Sequence, residues 1–331
     1  MPLDPPIEPM MAQPRDMLPA AGTLPGDLVM EQKVDGFRAI AFVRQGSLYL
    51  QSRRGGDLRP AFPDIALAAA ELDDVVLDEL VVPVGGRLDF SALQSRARRR
   101  GRGAVVAAAE HPAHLIVFDV LEAGGVSLIR QPYSDRRARL EQFFARGVLA
   151  APFALCPATS DEAQAREWLA PDWGEVGVEG CVVKGSRQPY RPGKREWIKV
   201  RSRQTHEAVV GAVTGTLRRP SSALLGRYDR SGQLRLVGRS VPLAHPLRAT
   251  LAERVSPASD GHPWAGWTFS AGWSGEGKLE AVLVAPDVVA EFSGDTAVDH
   301  GRWRHPVRLL RLREDRKADD VPSFESMSPR H

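Results

Sequence analysis

Glu31-Gln32-Lys33-Val34-Asp35-Gly36-Phe37-Arg38 stands between two runs of strand-like composition, residues 27–30 and 39–43. Asp-Gly is a turn signal, so the stretch predicts a lysine and an arginine flanking a strand–turn–strand. The chain has 44 Lys and Arg together, of which only six are lysine: Lys33, Lys184, Lys194, Lys199, Lys278 and Lys317. In so arginine-rich a chain, lysine marks places where guanidinium will not serve. An amine can shed its proton and attack an electrophile; guanidinium practically cannot. An isolated Lys-x-Asp-Gly also fits a surface lysine beside a hairpin turn, so the weight falls on its companions. Residues 178–184 form an apolar run broken only by Gly180, Glu179 and Lys184, and Glu196-Trp197-Ile198-Lys199-Val200-Arg201 follows closely. Residues 75–82 predict a strand carrying two consecutive acids, Asp78 and Glu79. Neighbours on a strand face opposite sides, so one acid or the other enters a cleft, not both.

The 331 residues suffice for two domains with separate cores. Hydrophobic and charged fractions of 43% and 26% are globular values. No apolar run reaches a membrane span and no signal-peptide core opens the chain, so a cytoplasmic protein without a membrane partner is expected. Cys156 and Cys181 cannot build a four-thiolate zinc site. With a net charge of only +3, a polyanion must be held by local patches. The densest is Arg96, Arg98, Arg99, Arg100 and Arg102 at the end of a helix predicted over 89–100; it fits either a solvated face or phosphate contact.

Residues 1–26, rich in proline, predict an extended lead-in. Strands are expected at 47–52 and 114–121, and helices at 61–72 and 132–146. Beyond residue 202 the pattern changes to short β runs at 206–213, 223–229, 233–238, 279–285 and 288–292, with one helix at 246–254. Residues 318–331 are polar and predict a frayed end.

In this order, the stretches resemble the motifs of the covalent nucleotidyltransferases: ATP-dependent DNA ligases, RNA ligases and mRNA capping enzymes. Lys33-x-Asp35-Gly36-x-Arg38 resembles motif I, Ser52-Arg53-Arg54-Gly55 the Ser-Arg-x-Gly element, and Asp78-Glu79 motif III without its glycine. Phe118-Asp119 resembles motif IIIa, Glu179-Gly180 motif IV, Trp197-Ile198-Lys199-Val200-Arg201 motif V, and Arg313-Glu314-Asp315-Arg316 motif VI. The likeness spans residues 31–316 and is greatest to stand-alone bacterial ATP-dependent DNA ligases related to end-joining ligases.

The resemblance implies an α+β fold: a nucleotidyltransferase domain of ATP-grasp-like antiparallel sheets over 1–203, then a β-barrel OB-fold domain over 204–331. It implies ATP and Mg²⁺ (or Mn²⁺) as cofactors and nicked duplex DNA as the partner of a monomeric repair enzyme. Lys33 takes AMP covalently and passes it to a 5′-phosphate, which a 3′-hydroxyl then attacks. Glu31 reads the adenine, Phe118 stacks on it, and Arg38, Arg53, Lys184, Lys199, Arg201 and Arg313 serve the nucleotide. Glu79, or Asp78 if the missing glycine shifts the register, and Glu179 are the ribose or metal carboxylates. Arg53, Arg96, Arg98, Arg99 and Arg100 meet DNA. Rival readings are an RNA ligase, a ligase preferring 3′-ribonucleotides, and an inactive DNA-binding homologue. A capping enzyme fits the composition poorly, and an NAD-dependent ligase would need a zinc site and extra domains.

Overall fold

The computed structural model describes residues 2–83, 90–270 and 278–327, apart from the side chains of residues 79–83, 90–92, 175 and 327. The chain divides into two compact units, Met1–Ser202 and Arg203–His331.

In the first unit the strands are β1 (Met11–Arg15), β2 (Leu28–Val34), β3 (Phe37–Arg44), β4 (Ser47–Ser52), β5 (Val75–Pro83) and β6 (Ala113–Ala123). They continue with β7 (Val126–Ser127), β8 (Phe153–Leu155), β9 (Ala158–Thr159), β10 (Val178–Gly185) and β11 (Arg195–Arg201). Among the described residues five α-helices intervene: α1 (Pro63–Ala69), α2 (Phe90–Ala97), α3 (Gly101–Glu110), α4 (Tyr133–Ala145) and α5 (Glu162–Glu167).

Two sheets result. One runs β1-β11-β10-β2-β9 and the other β4-β3-β5-β6-β7, with β8 also on β6. Most pairs are antiparallel as expected, but β1–β11 and β6–β8 are parallel. The proline-rich lead-in is therefore a sheet edge, laid beside β11, and not merely an extended cover.

Strand alternation explains the layers. Ala39, Ala41 and Val43 of β3 enter a core with Leu77, Leu115, Ile65 and Leu140 on the helix-covered side. Ile40 and Phe42, between them, enter a second core with Phe118, Tyr190 and Trp197 that joins the two sheets. A strand buried on both faces reads as an unbroken apolar run, as residues 39–43 do. Met30, Cys181, Val183, Ile198 and Val200 form a third core on the far side of the first sheet, against Ala165 and Trp168.

The expected helix over 61–72 shortens to α1, because Arg59–Ala61 forms a 3-10 turn. The helix over 89–100 ends at Ala97, and α3 begins anew at Gly101, whose φ of 54° suits glycine.

The second unit contains β12 (Arg203–Thr216), β13 (Arg219–Tyr228), β14 (Leu234–Arg239), α6 (His245–Arg254), β15 (Phe269–Ser270), β16 (Lys278–Leu279) and β17 (Val282–Leu283). It ends with β18 (Val289–Asp295), β19 (Val298–Asp299), β20 (Arg302–Trp303) and β21 (Arg308–Leu312). Its main sheet runs β14-β13-β12-β18-β21. A parallel bridge, Ser240 to Val307, links the chain after β14 to the chain before β21. The strand expected at 279–285 is two short ones, β16 and β17. The expected fraying from residue 318 is also corrected, up to residue 327. Two 3-10 turns, Ala318–Asp320 and Phe324–Met327, occupy that segment. Ala318 and Val321 pack on the core around Trp264, and Phe324 on the core around Trp303.

Candidate active site

Lys33 ends β2 just before the turn, and its ammonium meets the Glu179 carboxylate of β10. Regular alternation would send Glu179 into the third core with Cys181 and Val183. The pairing of β10 with β2 instead shifts between Val178 and Cys181, and this irregularity turns the acid toward Lys33. Gly180 makes it possible. Its φ is 136°, and a Cβ there would lie 2.2 Å from the Val200 carbonyl oxygen. The Glu-Gly pair is thus a backbone requirement as well as a motif.

Around this pair stand cations. Arg201 Nε lies 3.9 Å from Glu179. Lys199, two residues earlier on β11, is half-buried, and its pKa is pulled down to about 8 by burial, then by Arg201, Lys33, Arg195 and Arg53. Arg53 is exposed on the turn after β4, with an Nη 3.4 Å from Met11 Sδ. Crowded positive charge of this kind is relieved by an anion.

Further along the same strands the character changes. Glu31, two residues before Lys33 and so on the same face, is buried and accepts a 2.5 Å hydrogen bond from the Tyr133 hydroxyl. Lys184 Nζ lies 2.7 Å from Glu31, and Arg137 3.8 Å. Lys184 is fully buried, its ammonium 4.4–4.9 Å from the ring centres of Phe118, Tyr133 and Trp197. Burial and Glu31 hold the Tyr133 hydroxyl well above the usual phenol range, so it remains a donor.

Phe118 is only 6% exposed. The Arg38 guanidinium lies 4.6 Å from its ring centre. Arg38 in turn makes a two-pronged ion pair with Asp78, which also accepts 2.7 Å from the Tyr190 hydroxyl. Asp78 is therefore the acid that meets Arg38. The side chain of Glu79 lies outside the described residues.

The first unit thus gathers Glu31, Lys33, Arg38, Arg53, Phe118, Glu179, Lys184, Lys199 and Arg201 along neighbouring strands. Arg313 belongs to the second unit, where Glu207, Glu291 and Asp315 hold its guanidinium. Arg96 is a correction. It is 1% exposed, pairs with Asp64 at 2.7 Å, donates to the His111 carbonyl and lies over the Phe62 ring. It locks α2 to α1 and is not available to DNA, whereas Arg98, Arg99 and Arg100 are exposed.

Sequence reasoning missed Tyr133, Arg137, Tyr190 and Trp197. Trp197 was legible by alternation, two residues before Lys199 on one strand. Tyr133, Arg137 and Tyr190 carry no such signal, because helix and loop bring them from elsewhere in the chain.

An amine against a carboxylate, ringed by cations and adjoining a buried aromatic box, defines a phosphate-handling group-transfer protein. Comparison with known proteins gives the family. The model of the ATP dependent DNA ligase domain matches residues 9–201. DNA ligase C1 of Mycolicibacterium smegmatis is 33% identical over 96% of this chain and 92% of its own length. DNA ligase C2 of the same organism is 32% identical over 100% and 97%. A solved structure of mycobacterial DNA ligase D complexed with ATP and MES superposes with a TM-score of 0.51 and 27% identity, covering 96% of this chain and 98% of that one. The chain belongs to the ATP-dependent DNA ligase family.

Proposed function

We propose that this protein seals nicks in duplex DNA with ATP, carrying AMP on Lys33, in DNA repair. The observation that carries the proposal is Lys33 against Glu179 amid Arg53, Lys199 and Arg201. Lys33 Nζ, once deprotonated, attacks the α-phosphorus of ATP and pyrophosphate leaves. The 5′-phosphate at the nick then displaces the lysine, and the 3′-hydroxyl attacks that phosphate and releases AMP. Each step is an in-line displacement, for which the chain supplies positioning and charge. Lys199, Arg201 and Arg53 neutralise the phosphates. Glu31, held by Tyr133, Lys184 and Arg137, is the base-reading acid, and Phe118 is the base platform. Reaching Phe118 requires the Arg38 guanidinium to move aside. Asp78 is our choice for the ribose or metal carboxylate, in preference to Glu79, because it already faces Arg38.

Among the described residues no group of three His, Cys, Asp or Glu could hold a metal. That fits Mg²⁺, which takes one or two carboxylates and fills its shell with water and substrate phosphate. Glu179 would hold it, and the ion would supply charge neutralisation at the phosphates.

We read residues 1–203 as the adenylation domain and 204–331 as an OB-fold. The sheet order β14-β13-β12-β18-β21, with α6 between β14 and β18 and the Ser240–Val307 bridge, supports the second assignment. Arg313 is the motif VI residue of that domain, and Arg98, Arg99 and Arg100 meet DNA phosphates. No helix among the described residues is long and apolar enough to cross a membrane. A cytoplasmic monomer is the expected form.

The test is mass measurement of the protein after incubation with ATP, GTP or NAD⁺ and Mg²⁺, followed by sealing of nicked duplexes with deoxy- or ribonucleotide 3′ ends. An AMP adduct from ATP and sealing of the all-DNA nick are expected. An adduct from GTP, or sealing confined to ribonucleotide ends, overturns the proposal.

A further inference from the structure

The second unit carries a cavity of about 380 Å³ that no step above uses, lined among others by Arg235, Trp267, Phe269, Ser270, Arg302 and Phe324. Its floor is aromatic and rigid. Trp267 is stacked on the fully buried Trp264, with planes 27° apart and centroids 6.1 Å apart, and Phe269 meets Trp264 edge-on at 5.5 Å. Yet Trp267 itself is 47% exposed. A large ring backed by a packed partner and open to solvent is a poor core residue and a ready stacking platform.

The walls carry both signs: Arg235 and Arg302 stand with Asp299 and His300, and Arg235 Nε lies 3.9 Å from Asp229. Arg235 projects from β14 beside the Phe324 ring, at 5.7 Å. Arg302, on β20, is held below the usual guanidinium range by burial and by the neighbouring Arg239. Both guanidinium groups present several donors, so a phosphate can be held beside them.

We propose that this cavity binds an unpaired nucleotide of a DNA strand, its base on Trp267 and its phosphate against Arg235 and Arg302. The volume suits a single nucleotide. Stacking on an aromatic face is tolerant of sequence, because every base presents a π-face. The inference stands on the second unit alone and does not depend on the sealing chemistry.

The experiment titrates the full chain with a fluorescent oligothymidylate, and separately with AMP, at low salt. Trp267→Ala should weaken the oligothymidylate about tenfold or more, the range of one lost stack. Trp267→Phe, which keeps a ring, should weaken it less. Arg235→Gln should lower the magnitude of the log–log salt slope by about 0.7, the single-strand value for one phosphate. A cooperative thermal melt should persist in all three, which shows the variants folded. Equal oligothymidylate affinity in wild type and Trp267→Ala overturns the proposal. So does binding of AMP alone at this cavity, which would make it a site for free nucleotide.

Discussion

The surroundings of Lys33 handle charge in opposite ways on two sides. At the aromatic end each cation is matched. Lys184 is enclosed by three rings and paired with Glu31, and Arg38 is clamped by Asp78. At the other end Lys33, Arg53, Arg195, Lys199 and Arg201 crowd round the Glu179 carboxylate, and Lys199 is driven down to about 8 by burial and its cationic neighbours. A buried cation with a partner has one geometry, since losing the partner is expensive. Crowded cations at a half-open surface favour an anion but dictate little about its orientation. The aromatic end therefore suits recognition, and the cationic end suits binding and stabilising phosphate charge.

The largest effect should come at the junction. Lys33→Ala and Lys33→Arg should both abolish the AMP adduct and cut sealing by a factor on the order of 10⁴ or more, measured with labelled ATP. An adduct retained on Lys184 or Lys199 would dissolve the distinction between the two ends.

Next comes the matched end. Asp78→Asn leaves Arg38 without its carboxylate and should cost roughly 3–5 kcal/mol of stability in a denaturant melt, besides raising the KM for ATP. Glu79→Gln should be milder on both counts; the reverse order would return the motif III role to Glu79.

The arginine run offers the same contrast on a smaller scale. Arg96→Ala should destabilise by about 3 kcal/mol, because Asp64 loses its buried partner. Replacing Arg98, Arg99 and Arg100 together by Ala should leave the melt almost unchanged. That triple variant should flatten the salt dependence of nicked-duplex binding by about two to three units, at roughly 0.9 per phosphate. An unchanged slope would make those three a solvated face.

The smallest effect is a pH dependence at the cationic end. Lys199, with its free-state pKa near 8, is charged below that pH and neutral above it. Phosphate binding raises this pKa, so ATP affinity should fall as pH rises above about 8, by at most about tenfold per pH unit. Lys199→Arg stays charged throughout and should remove the decline. An identical profile in both proteins would mean that Lys199 does not contact the phosphates.

Local chemistry was enough to single out Lys33 as the candidate nucleophile, because scarcity of lysine, a turn dipeptide and flanking apolar runs all lie within one stretch. Lys199 and most strands were legible in the same way, by scarcity or by a period of two residues, whereas Glu179 reaches Lys33 only through the irregularity at Gly180. The choice between Asp78 and Glu79 did not lie in the sequence. Alternation separates them but does not say which one meets Arg38 and Tyr190; packing brings Asp78 there. Nor could the sequence separate Arg96 from its neighbours, since burial beside Asp64 and Phe62 depends on where α1 and α2 pack. The aromatic box is likewise tertiary. Phe118, Tyr133, Lys184 and Trp197 come from four elements, and only the packing of the two sheets and α4 makes them one environment.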